Sequence, residues 1–465
     1  MKMQADTRTG KDLADRLRSR DARVAVVGLG YVGLPLAVEF AKAGLTTLAL
    51  DVDRDKIAKI NAGESYINDV PSDAVRAVTN GGRLRATADF QALADVDTVD
   101  ICVPTPLRKT GDPDLSYVLS AVEAIAKQLH PGQLVILEST TYPGTVEEVV
   151  RPTLEASGLR AGRDFYLAFS PERVDPGNGR WNTQNIPKVV GGINEESTRV
   201  AAALYEQIVT TVVPVSSTRV AETVKLLENT FRAVNIGLAN ELAMMCRELG
   251  VDVWEVIEAA KTKPFGYMPF YPGPGLGGHC IPIDPFYLSW KAKQSGFESR
   301  FIDLAGHVNS AMPRFVVERI AEALNSHSRA IKGSRVHLFG MAYKPNVSDV
   351  RESPAIDVAL LLQERGAIIS YTDSLVSRVD EDSVHLESMS LEEAMAHRID
   401  CAVITTDHRG LDYSKLAQHF PTVVDTRNVL KGVNGDHIFG LWQPVGQRES
   451  PESLARIQAH LAEAV

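Results

Sequence analysis

Cys280 is the residue whose surroundings point most directly to chemistry. It lies in the sequence GGHCIPID, which ends at Asp284. Flanking glycines let a substrate approach the backbone closely, and a thiolate is a strong nucleophile when a nearby cation lowers its pKa. Asp284 could act as a general acid or base, or serve only as an ion-pair partner. The alternative for Cys280 is a structural thiol, which is our interpretation of Cys102, Cys246 and Cys401.

Three further polar residues could do chemistry beside a thiolate. Lys225 and Asn229 are four residues apart, so on a helix they share a face. An ammonium group and an amide side by side could hold a developing oxyanion; the alternative is a solvated helix face. Glu172, in Ser-Pro-Glu-Arg after the strand-like run 165–170, could be a general acid or base, or a cap or ion-pair partner.

A phosphate-binding loop is predicted at residues 28–33, which read Gly-Leu-Gly-Tyr-Val-Gly. The motif follows a strand, opens a helix, and precedes Asp51 at the end of the next strand. In this context Gly28 permits the turn, Gly30 admits a pyrophosphate and Gly33 allows close packing. Asp51 would accept hydrogen bonds from a ribose and repel a 2′-phosphate, so NAD is favoured over NADP, a preference that Lys56 tempers. The alternative is a glycine-rich structural turn.

The elements that position these residues alternate between strand and helix. Strands are predicted at 23–27, 46–50, 97–104 and 133–140, with a helix at 33–43. This alternation indicates a parallel sheet, with ligands at the carboxyl ends of its strands. A helix of about 50 Å is predicted over 216–249, capped by Ser216 or Ser217 and ended by Gly250. Such a helix suits a spine between domains or a partner subunit's interface.

A second α/β region follows a Pro- and Gly-rich loop at 264–285. Strands are predicted at 335–340, 367–373, 400–406 and 422–427, with a helix at 353–366. Gly340 follows the first of these strands, but no GxGxxG is present, so a second dinucleotide site is not expected. Lys344, Arg351 and Arg427 at the strand ends suit an anionic diphosphate, or are ordinary surface charges.

Composition excludes several classes of protein. The chain has 465 residues, a net charge of -10 and a pI near 5.6, with no basic stripe, so nucleic acid is not an expected partner. Its four cysteines are far apart and form no CxxC pair, which argues against a metal site or a disulfide framework. The N-terminus is polar, and no apolar run approaches the ~20 residues that span a bilayer. A cytoplasmic protein without a membrane partner is expected.

Taken in order, these motifs resemble the UDP-sugar 6-dehydrogenase family, which includes UDP-glucose and UDP-N-acetylhexosamine dehydrogenases. The resemblance covers about residues 22 to 440 and rests on the Lys225/Asn229 helix and on the motifs GLGYVGLP, CVPTP, EST…PGT, SPER, GGHCIPIDP and YKPNVSDVRES. Each fragment is modest, but the ordered set is specific.

The resemblance implies an α/β fold with two Rossmann-like, doubly wound parallel-sheet domains joined by a central long-helix segment. We expect an N-terminal segment at 1–21, an NAD-binding domain at 22–215, a central dimerisation segment with the cysteine loop at 216–328, and a UDP-binding domain at 329–465. It also implies a homodimer through the central helices. The implied reaction is a four-electron oxidation with NAD, through a thiohemiacetal and a thioester on Cys280.

The family's functional residues carry over to matching positions. Cys280 corresponds to the nucleophile, Lys225 and Asn229 to the pair at the C6 oxygen, Asp284 and Thr140 to residues that position water, and Glu172 to a base. The expected cofactor residues are Gly28, Gly30, Tyr31, Val32, Gly33, Asp51, Lys56, Thr105, Thr140 and Arg351. The expected substrate residues are Glu172, Arg173, Lys225, Asn229, Gly277, Lys344 and Arg427.

Within the family, the 264–288 region is most similar to UDP-N-acetylglucosamine 6-dehydrogenases of polysaccharide synthesis. His279 and Ile283 depart from the UDP-glucose pattern, and 263–267 lacks an Arg that many relatives lend to the partner subunit. UDP-N-acetylgalactosamine, UDP-N-acetylmannosamine and UDP-glucose stay open as substrates. Two other functions stay open: a two-electron β-hydroxyacid dehydrogenase, which would not need Cys280, and a non-catalytic NAD-binding regulator. Terminal helices are expected at 11–19 and within 446–465.

Overall fold

The structure, a computed structural model, describes residues 12–67, 69–108, 112–175, 180–381, 383–433 and 435–442. They form two compact units. The first takes the described residues of Met1–Thr230 and of Ile283–Ser299, and the second takes those of Phe231–Pro282 and Arg300–Val465. The helix expected within 446–465 lies outside the described residues, as does Lys11, the start of the helix expected at 11–19.

The first unit is built on an eight-stranded sheet with the order β3-β2-β1-β4-β5-β6-β7-β8. Neighbouring strands are parallel except β6 and β7, which are antiparallel. The strands are β1 (Arg23–Val27), β2 (Thr46–Leu50), β3 (Leu84–Thr87), β4 (Thr98–Ile101), β5 (Leu134–Leu137), β6 (Tyr166–Phe169), β7 (Lys188–Gly192) and β8 (Val212–Val215).

Helices cover both faces of this sheet. Its central strands β4 and β5 are therefore buried along their whole length. The helices are α1 (Leu13–Arg18), α2 (Gly33–Lys42), α3 (Arg54–Asn61), α4 (Ser72–Asn80), α5 (Ser116–Ala126), α6 (Arg151–Glu155) and α7 (Glu195–Tyr205). A 3-10 turn (Phe90–Asp95) and a π-helical turn (Val146–Val150) add to them. One apolar core includes α1, α2, α4 and α7, and a second includes α5, α6 and the sheet's other face. The unit is therefore doubly wound.

The predicted long helix is confirmed as α8 (Thr218–Leu249). Ser217 Oγ accepts a hydrogen bond from Val220 N at 3.3 Å, and Gly250 ends the helix with φ +69°. The helix contributes residues to both units. The irregular stretch after it is two residues shorter than predicted, because Asp284 and Pro285 already open α10 (Asp284–Gln294). Proline suits the first turn of a helix, where its missing N–H costs nothing.

The second unit contains a five-stranded, all-parallel sheet with the order β10-β9-β13-β14-β15, and an antiparallel hairpin of β11 and β12. The strands are β9 (Arg335–Phe339), β10 (Ile368–Thr372), β11 (Arg378–Glu381), β12 (Val384–Glu387), β13 (Cys401–Ile404), β14 (Val423–Asp425) and β15 (Ile438–Gly440). Its helices are α9 (Val253–Lys261), α11 (Arg300–Ser326), α12 (Pro354–Glu364), α13 (Leu391–Ala396) and α14 (Tyr413–His419). Separate cores on α11 and α12 and on α13 and α14 cover its two faces.

The predicted fold class is confirmed: two Rossmann-like parallel sheets accompany a central helical segment. In the described ranges, no helix combines the length and the apolarity needed to cross a bilayer.

Candidate active site

The glycine loop at the carboxyl end of β1 has the geometry of a phosphate cradle. Gly28 has φ +92°, and a Cβ there would lie 2.7 Å from the Cys102 carbonyl oxygen. A Cβ at Gly33 would lie 1.8 Å from the Gly28 carbonyl oxygen, whereas one at Gly30 would meet nothing within 4 Å. The turn therefore requires glycine at two positions, and the open space over Gly30 fits a pyrophosphate at the N-terminus of α2.

Asp51 lies at the end of β2 and holds this loop. Its Oδ2 accepts from Leu29 N at 2.7 Å, its Oδ1 accepts from Asp53 N at 2.9 Å, and Lys56 Nζ lies 3.7 Å away. Each carboxylate oxygen can accept a second hydrogen bond, so a ribose hydroxyl fits beside the contacts already made. Tyr31 is half exposed at the tip of the loop, and Val32 directly precedes α2. These residues fit the cofactor predicted for them.

Thr105 and Thr140 follow β4 and β5 at the same edge of the sheet. The Thr105 carbonyl accepts a hydrogen bond from the Tyr287 hydroxyl of α10, and Thr140 is half-buried. Beyond Thr140, Gly144 turns the chain with φ +101°. Glu222 of α8 accepts from Gly144 N at 2.6 Å and from Val146 N at 2.9 Å. This carboxylate fastens the turn to the helix that carries Lys225.

Lys225, Asn229 and Asp284 are buried together in the first unit. Asn229 Nδ2 donates to Asp284 Oδ2 at 2.5 Å, which joins α8 to the first turn of α10. Burial raises the pKa of Asp284 to about 6, although the Lys225 ammonium and the Asn229 amide oppose the rise. A carboxyl group with a pKa near neutrality is suited to exchange protons at physiological pH.

Glu172 follows β6, and its carboxylate is held on both oxygens. Oε1 accepts from Arg173 N at 2.8 Å and from Val174 N at 2.6 Å, and Oε2 pairs with Lys188 Nζ at 3.3 Å. Burial would raise the pKa of Glu172, but Lys188, the Val174 N–H and Lys225 outweigh it and lower the pKa. Glu172 is therefore an ionised carboxylate at neutral pH.

The first unit thus brings Glu172, Lys225, Asn229 and Asp284 into one electrostatic group. Lys225 acts on the pKa of both Glu172 and Asp284. The Lys225 ammonium and the Asn229 amide can stabilise an oxyanion. The two carboxyl groups can move protons, because the pKa of Glu172 is lowered and that of Asp284 is raised.

Arg173 is engaged in contacts within the first unit. Its guanidinium pairs with Glu228 of α8 at 2.5 Å and donates to the Pro187 carbonyl at 2.6 Å. It lines a cavity of about 290 Å³ with Trp181, Ile186 and three polar or proline neighbours, Asp175, Pro187 and Glu228. Arg173 directly follows Glu172 in the sequence. A role for Arg173 in substrate binding stays a prediction.

The cysteine loop is part of the second unit. Gly278 N donates to the Arg351 carbonyl at 3.1 Å, and a Cβ at Gly277 would lie 2.7 Å from Tyr343 Cβ. Burial, and then the Arg351 charge, lower the pKa of His279, so this imidazole is neutral at pH 7. Cys280 itself is half-buried. The glycines therefore allow the cysteine loop to pack directly on the 343–353 segment.

The predicted basic residues of the second unit have different surroundings. Arg351 forms an ion pair with Asp349 at 2.6 Å, and Lys344 Nζ lies 5.9 Å from the ring centre of Tyr343. Arg427 Nε donates to the Thr405 carbonyl at 2.8 Å, and burial lowers its pKa. Gly273 leaves room for this guanidinium, because a Cβ there would lie 2.7 Å from Arg427 Nη1. Their binding roles stay predictions.

A buried polar cluster beneath Glu172 was not predicted from the sequence. Lys188 Nζ contacts Glu138 at 3.0 Å, and the Tyr205 hydroxyl contacts both Glu138 and Asp100. The available signal was a charged residue inside or beside a fully apolar strand, as for Asp100 in β4 and Glu138 after β5. Among the residues that the structure describes, no group of three or more His, Cys, Asp or Glu could hold a metal ion.

Comparison with known proteins shows three consecutive matches to one family. Residues 22–209 match the NAD binding domain of the UDP-glucose/GDP-mannose dehydrogenase family, 219–311 match its central domain, and 337–432 match its UDP binding domain.

Individual relatives cover most of the chain. A UDP-N-acetyl-D-glucosamine 6-dehydrogenase of Pseudomonas aeruginosa is 38% identical over 79% of this chain and 85% of its own length. An NDP-N-acetyl-D-galactosaminuronic acid dehydrogenase of Ralstonia nicotianae is 36% identical over 89% of this chain and 98% of its own. The solved structure of a UDP-D-ManNAc dehydrogenase from Pyrococcus horikoshii has a TM-score of 0.83 and 34% identity, covering 91% of this chain and 100% of that one.

One identification follows from the three matched domains, and it agrees with the glycine loop at Gly28–Gly33 and with the buried Lys225, Asn229 and Asp284. The chain belongs to the UDP-glucose/GDP-mannose dehydrogenase family and is an NAD-dependent UDP-sugar dehydrogenase.

Proposed function

We propose that this enzyme oxidises the C6 hydroxymethyl group of a UDP-N-acetylhexosamine to the uronate, with UDP-N-acetylglucosamine as the preferred substrate. The observation that carries the proposal is the buried Asn229–Asp284 hydrogen bond with Lys225 acting on both Asp284 and Glu172. Three similar proteins named for three N-acetylated sugars support the substrate class.

The overall reaction converts one hydroxymethyl group, two NAD⁺ and one water into one carboxylate, two NADH and three protons. Bound NAD, held by the loop at Gly28–Gly33 and by Asp51, supplies the hydride acceptor for each oxidation. In the first oxidation C6 loses a hydride and its hydroxyl a proton, giving an aldehyde. The Lys225 ammonium and the Asn229 amide stabilise the C6 oxygen as it becomes negative.

Cys280 is the proposed nucleophile for the second half of the reaction. Its thiolate adds to the aldehyde carbon and gives a thiohemiacetal oxyanion, and loss of a second hydride from C6 converts this oxyanion into a thioester. Cys280 and Asp284 are four positions apart in the chain, which limits the distance between their Cα atoms to about 14 Å.

Hydrolysis of the thioester completes the proposed cycle. Asp284 and Thr140 orient a water molecule, and Glu172 accepts its proton as the C–S bond breaks and the thiolate leaves. The lowered pKa of Glu172 keeps it in the carboxylate form that a base requires.

A homodimer through α8 is also proposed. Leu227, Phe231, Leu238, Met245 and Leu249 recur at helical spacing, and their exposed fractions are 46 to 73%. A row of exposed apolar side chains along one helix is typical of an interface between subunits. Changing Leu238 to Glu should shift the mass measured by light scattering from dimer to monomer; a wild-type monomer would contradict the proposal.

The test of the substrate is a comparison of kcat/KM for four nucleotide sugars: UDP-N-acetylglucosamine, its C4 and C2 epimers, and UDP-glucose. The proposal predicts the highest value for UDP-N-acetylglucosamine and a lower one for UDP-glucose. A preference for UDP-glucose would contradict the N-acetylhexosamine class, and no turnover of any sugar would favour the two-electron or the non-catalytic alternative.

A further inference from the structure

Four buried side chains of the first unit and the half-buried Glu172 form a continuous series, which we call the charge column: Asp100, Tyr205, Glu138, Lys188 and Glu172. The Tyr205 hydroxyl lies 2.9 Å from Asp100 Oδ1 and also contacts Glu138 Oε1. Lys188 Nζ lies 3.0 Å from Glu138 Oε2 and 3.3 Å from Glu172 Oε2. The column therefore leads from the middle of the sheet to the carboxylate proposed as the base.

The sheet itself places Lys188 opposite Glu172. Strands β6 and β7 are antiparallel, with Ala168 paired to Gly192 and Phe169 to Gly191. Continuing this register beyond the last pair brings Lys188 level with Glu172. The Lys188 side chain is only 6% exposed, so its ammonium exchanges solvent for carboxylates.

The single hydroxyl hydrogen of Tyr205 shows how the column balances the charge of the buried Lys188. Tyr205 has one hydroxyl hydrogen but contacts two carboxyl groups, Glu138 and Asp100. One of those two contacts therefore needs a proton on a carboxyl group. Burial, and the proximity of each carboxylate to another, raise the pKa of both Asp100 and Glu138. The pair then carries a single negative charge, which balances the single positive charge of Lys188.

We infer that Lys188 is a positioning residue for the reaction: it fixes the orientation of the Glu172 carboxylate and keeps it ionised while the thioester is hydrolysed. The inference rests on the base role proposed above for Glu172. Lys188 touches neither the glycine cradle nor Asn229 or Asp284 through any contact described, and it acts through Glu172 alone.

The other charged and titratable groups around Glu172 do not replace Lys188. Lys225 also favours the Glu172 carboxylate, but the effect of Lys188 on the Glu172 pKa is the larger of the two. Glu138 and Glu172 lie on either side of the Lys188 ammonium, and the negative charge of Glu172 raises the pKa of Glu138. Cys102, on the neighbouring strand end, has a pKa raised by burial and stays a neutral thiol. The Arg173 guanidinium is directed to Glu228.

The test compares three variants with the wild-type enzyme. Lys188→Met removes the charge and keeps most of the volume, and Lys188→Arg keeps the charge. Arg16→Met is a matched control, since it breaks a different ion pair of the same unit, in which Arg16 contacts Asp97 at 2.7 Å. The primary measurement is the titration of the Glu172 side chain in protein labelled with ¹³C-glutamate and assigned with Glu172→Gln.

In Lys188→Met the Glu172 midpoint should rise by about 1–3 pH units, because an opposite charge within hydrogen-bond distance is lost. Lys188→Arg and Arg16→Met should keep the wild-type midpoint. If Lys188→Met does not fold, the double variant Lys188→Met/Glu138→Gln removes one charge of each sign, and a smaller rise is expected. An unchanged midpoint in either folded variant would overturn the inference.

Kinetics supply a second readout. Since Glu172 then takes up its proton at higher pH, Lys188→Met should lose kcat as the pH falls, by roughly tenfold at pH 6 when the midpoint rises by the full ~3 units and by less for a smaller rise, and it should recover toward pH 8. A deficit that is equal at all pH values would mean that Lys188 is merely structural.

The experiments distinguish a failure of the proposed function from a failure of the role of Lys188. A wild-type enzyme that makes no uronate would refute the proposed function, while the titration would still report on the column. Uronate formation combined with an unmoved Glu172 midpoint would refute only the role of Lys188.

Discussion

The two Rossmann-like sheets begin with nearly the same turn. Gly28 after β1 and Gly340 after β9 have φ of +92° and +91°. Each glycine N–H donates to the last residue of the neighbouring strand, at 2.8 Å to Leu50 and 3.0 Å to Thr372. A Cβ at either position would lie 2.7 or 2.6 Å from a carbonyl oxygen of a third strand end. The turn is therefore a property of the sheet rather than of one ligand.

The sheets differ at the aspartate after the second strand. Asp51 accepts two backbone hydrogen bonds and lies near Lys56. Asp373 accepts from His408 Nε2 at 3.0 Å and from four backbone N–H groups, those of Met341, Ala342, Leu375 and Val376. Asp51 retains acceptor capacity for a ribose, whereas Asp373 uses its capacity to hold its own loop.

The segments after the two glycines also differ. In the first sheet α2 begins at Gly33, so its N-terminus faces the cradle. In the second, a loop that carries Lys344 and Arg351 intervenes before α12, whose start is capped by Ser353. A helix N-terminus suits a pyrophosphate, and a basic loop suits phosphate recognition by side chains. The two sheets therefore combine the same backbone turn with different polar surroundings.

The largest effect is expected for matched substitutions at the two turns. Gly28→Ala and Gly340→Ala should each destabilise the protein by about 2–4 kcal/mol, from backbone strain and overlap with a carbonyl. Urea unfolding measures this loss. Only Gly28→Ala should also weaken NAD binding, and only Gly340→Ala should raise KM for the nucleotide sugar. Loss of NAD affinity in both would contradict the division of ligands.

A smaller effect is expected for the two aspartates. Asp373→Ala should cost about 2 kcal/mol, because His408 and several buried N–H groups lose their acceptor. Burial would raise the pKa of Asp373, but His408 and the backbone N–H groups lower it. Its stabilising contribution is therefore complete above the ordinary aspartate pKa and is lost as pH falls below it. Unfolding at pH 7 and pH 3 should show the gap to wild type closing in acid.

Asp51→Ala is the counterpart of that change. It should alter stability less than Asp373→Ala and should raise the use of NADP relative to NAD, since the carboxylate that repels a 2′-phosphate is gone. The ratio of kcat/KM for the two cofactors measures the effect. An unchanged ratio would mean that Asp51 does not face the ribose.

Gly30→Val should weaken NAD binding by about tenfold or more, which corresponds to about 1.4 kcal/mol. The reason is that the side chain would occupy the space over the loop, where a Cβ at present meets nothing within 4 Å. Calorimetric titration with NAD and a thermal melt separate binding from stability. A lowered melting temperature with normal NAD affinity would show that Gly30 serves only the structure of the loop.

The smallest effect is expected for Lys56→Ala. Lys56 lies 3.7 Å from Asp51 and is about one-third exposed, so the pair contributes less than about 1 kcal/mol. NADP use should fall slightly, because a cation near the ribose is removed. A large loss of NAD affinity would assign Lys56 a direct contact with the cofactor.

The sequence predicted the parts of the molecule that local patterns specify. The turn at Gly28, the helix at Thr218–Leu249 and its cap at Ser217 follow from glycine, periodicity and capping rules that act over a few residues. The strands β1, β2, β9 and β10 follow from apolar runs that end at glycine or aspartate.

Residues joined only by the tertiary fold could not be predicted in the same way. Tyr205 meets Asp100 across 105 positions of sequence, and Lys188 reaches Glu138 across 50. No spacing rule links them, because sheet order and an antiparallel β6–β7 pair determine which side chains meet. The start of α10 at Asp284 was also missed, since the preceding Pro- and Gly-rich stretch conceals it.

The central claim is that one enzyme carries out both oxidations with Cys280 as the nucleophile. The most direct measurement is the number of NADH molecules formed for each uronate released, with UDP-N-acetylglucosamine as substrate and with wild type and Cys280→Ser in parallel. We expect two NADH per uronate for the wild type and no uronate from Cys280→Ser, whose hydroxyl is far less acidic than a thiol. One NADH per sugar with an aldehyde product, or uronate from Cys280→Ser at the wild-type rate, would contradict the claim.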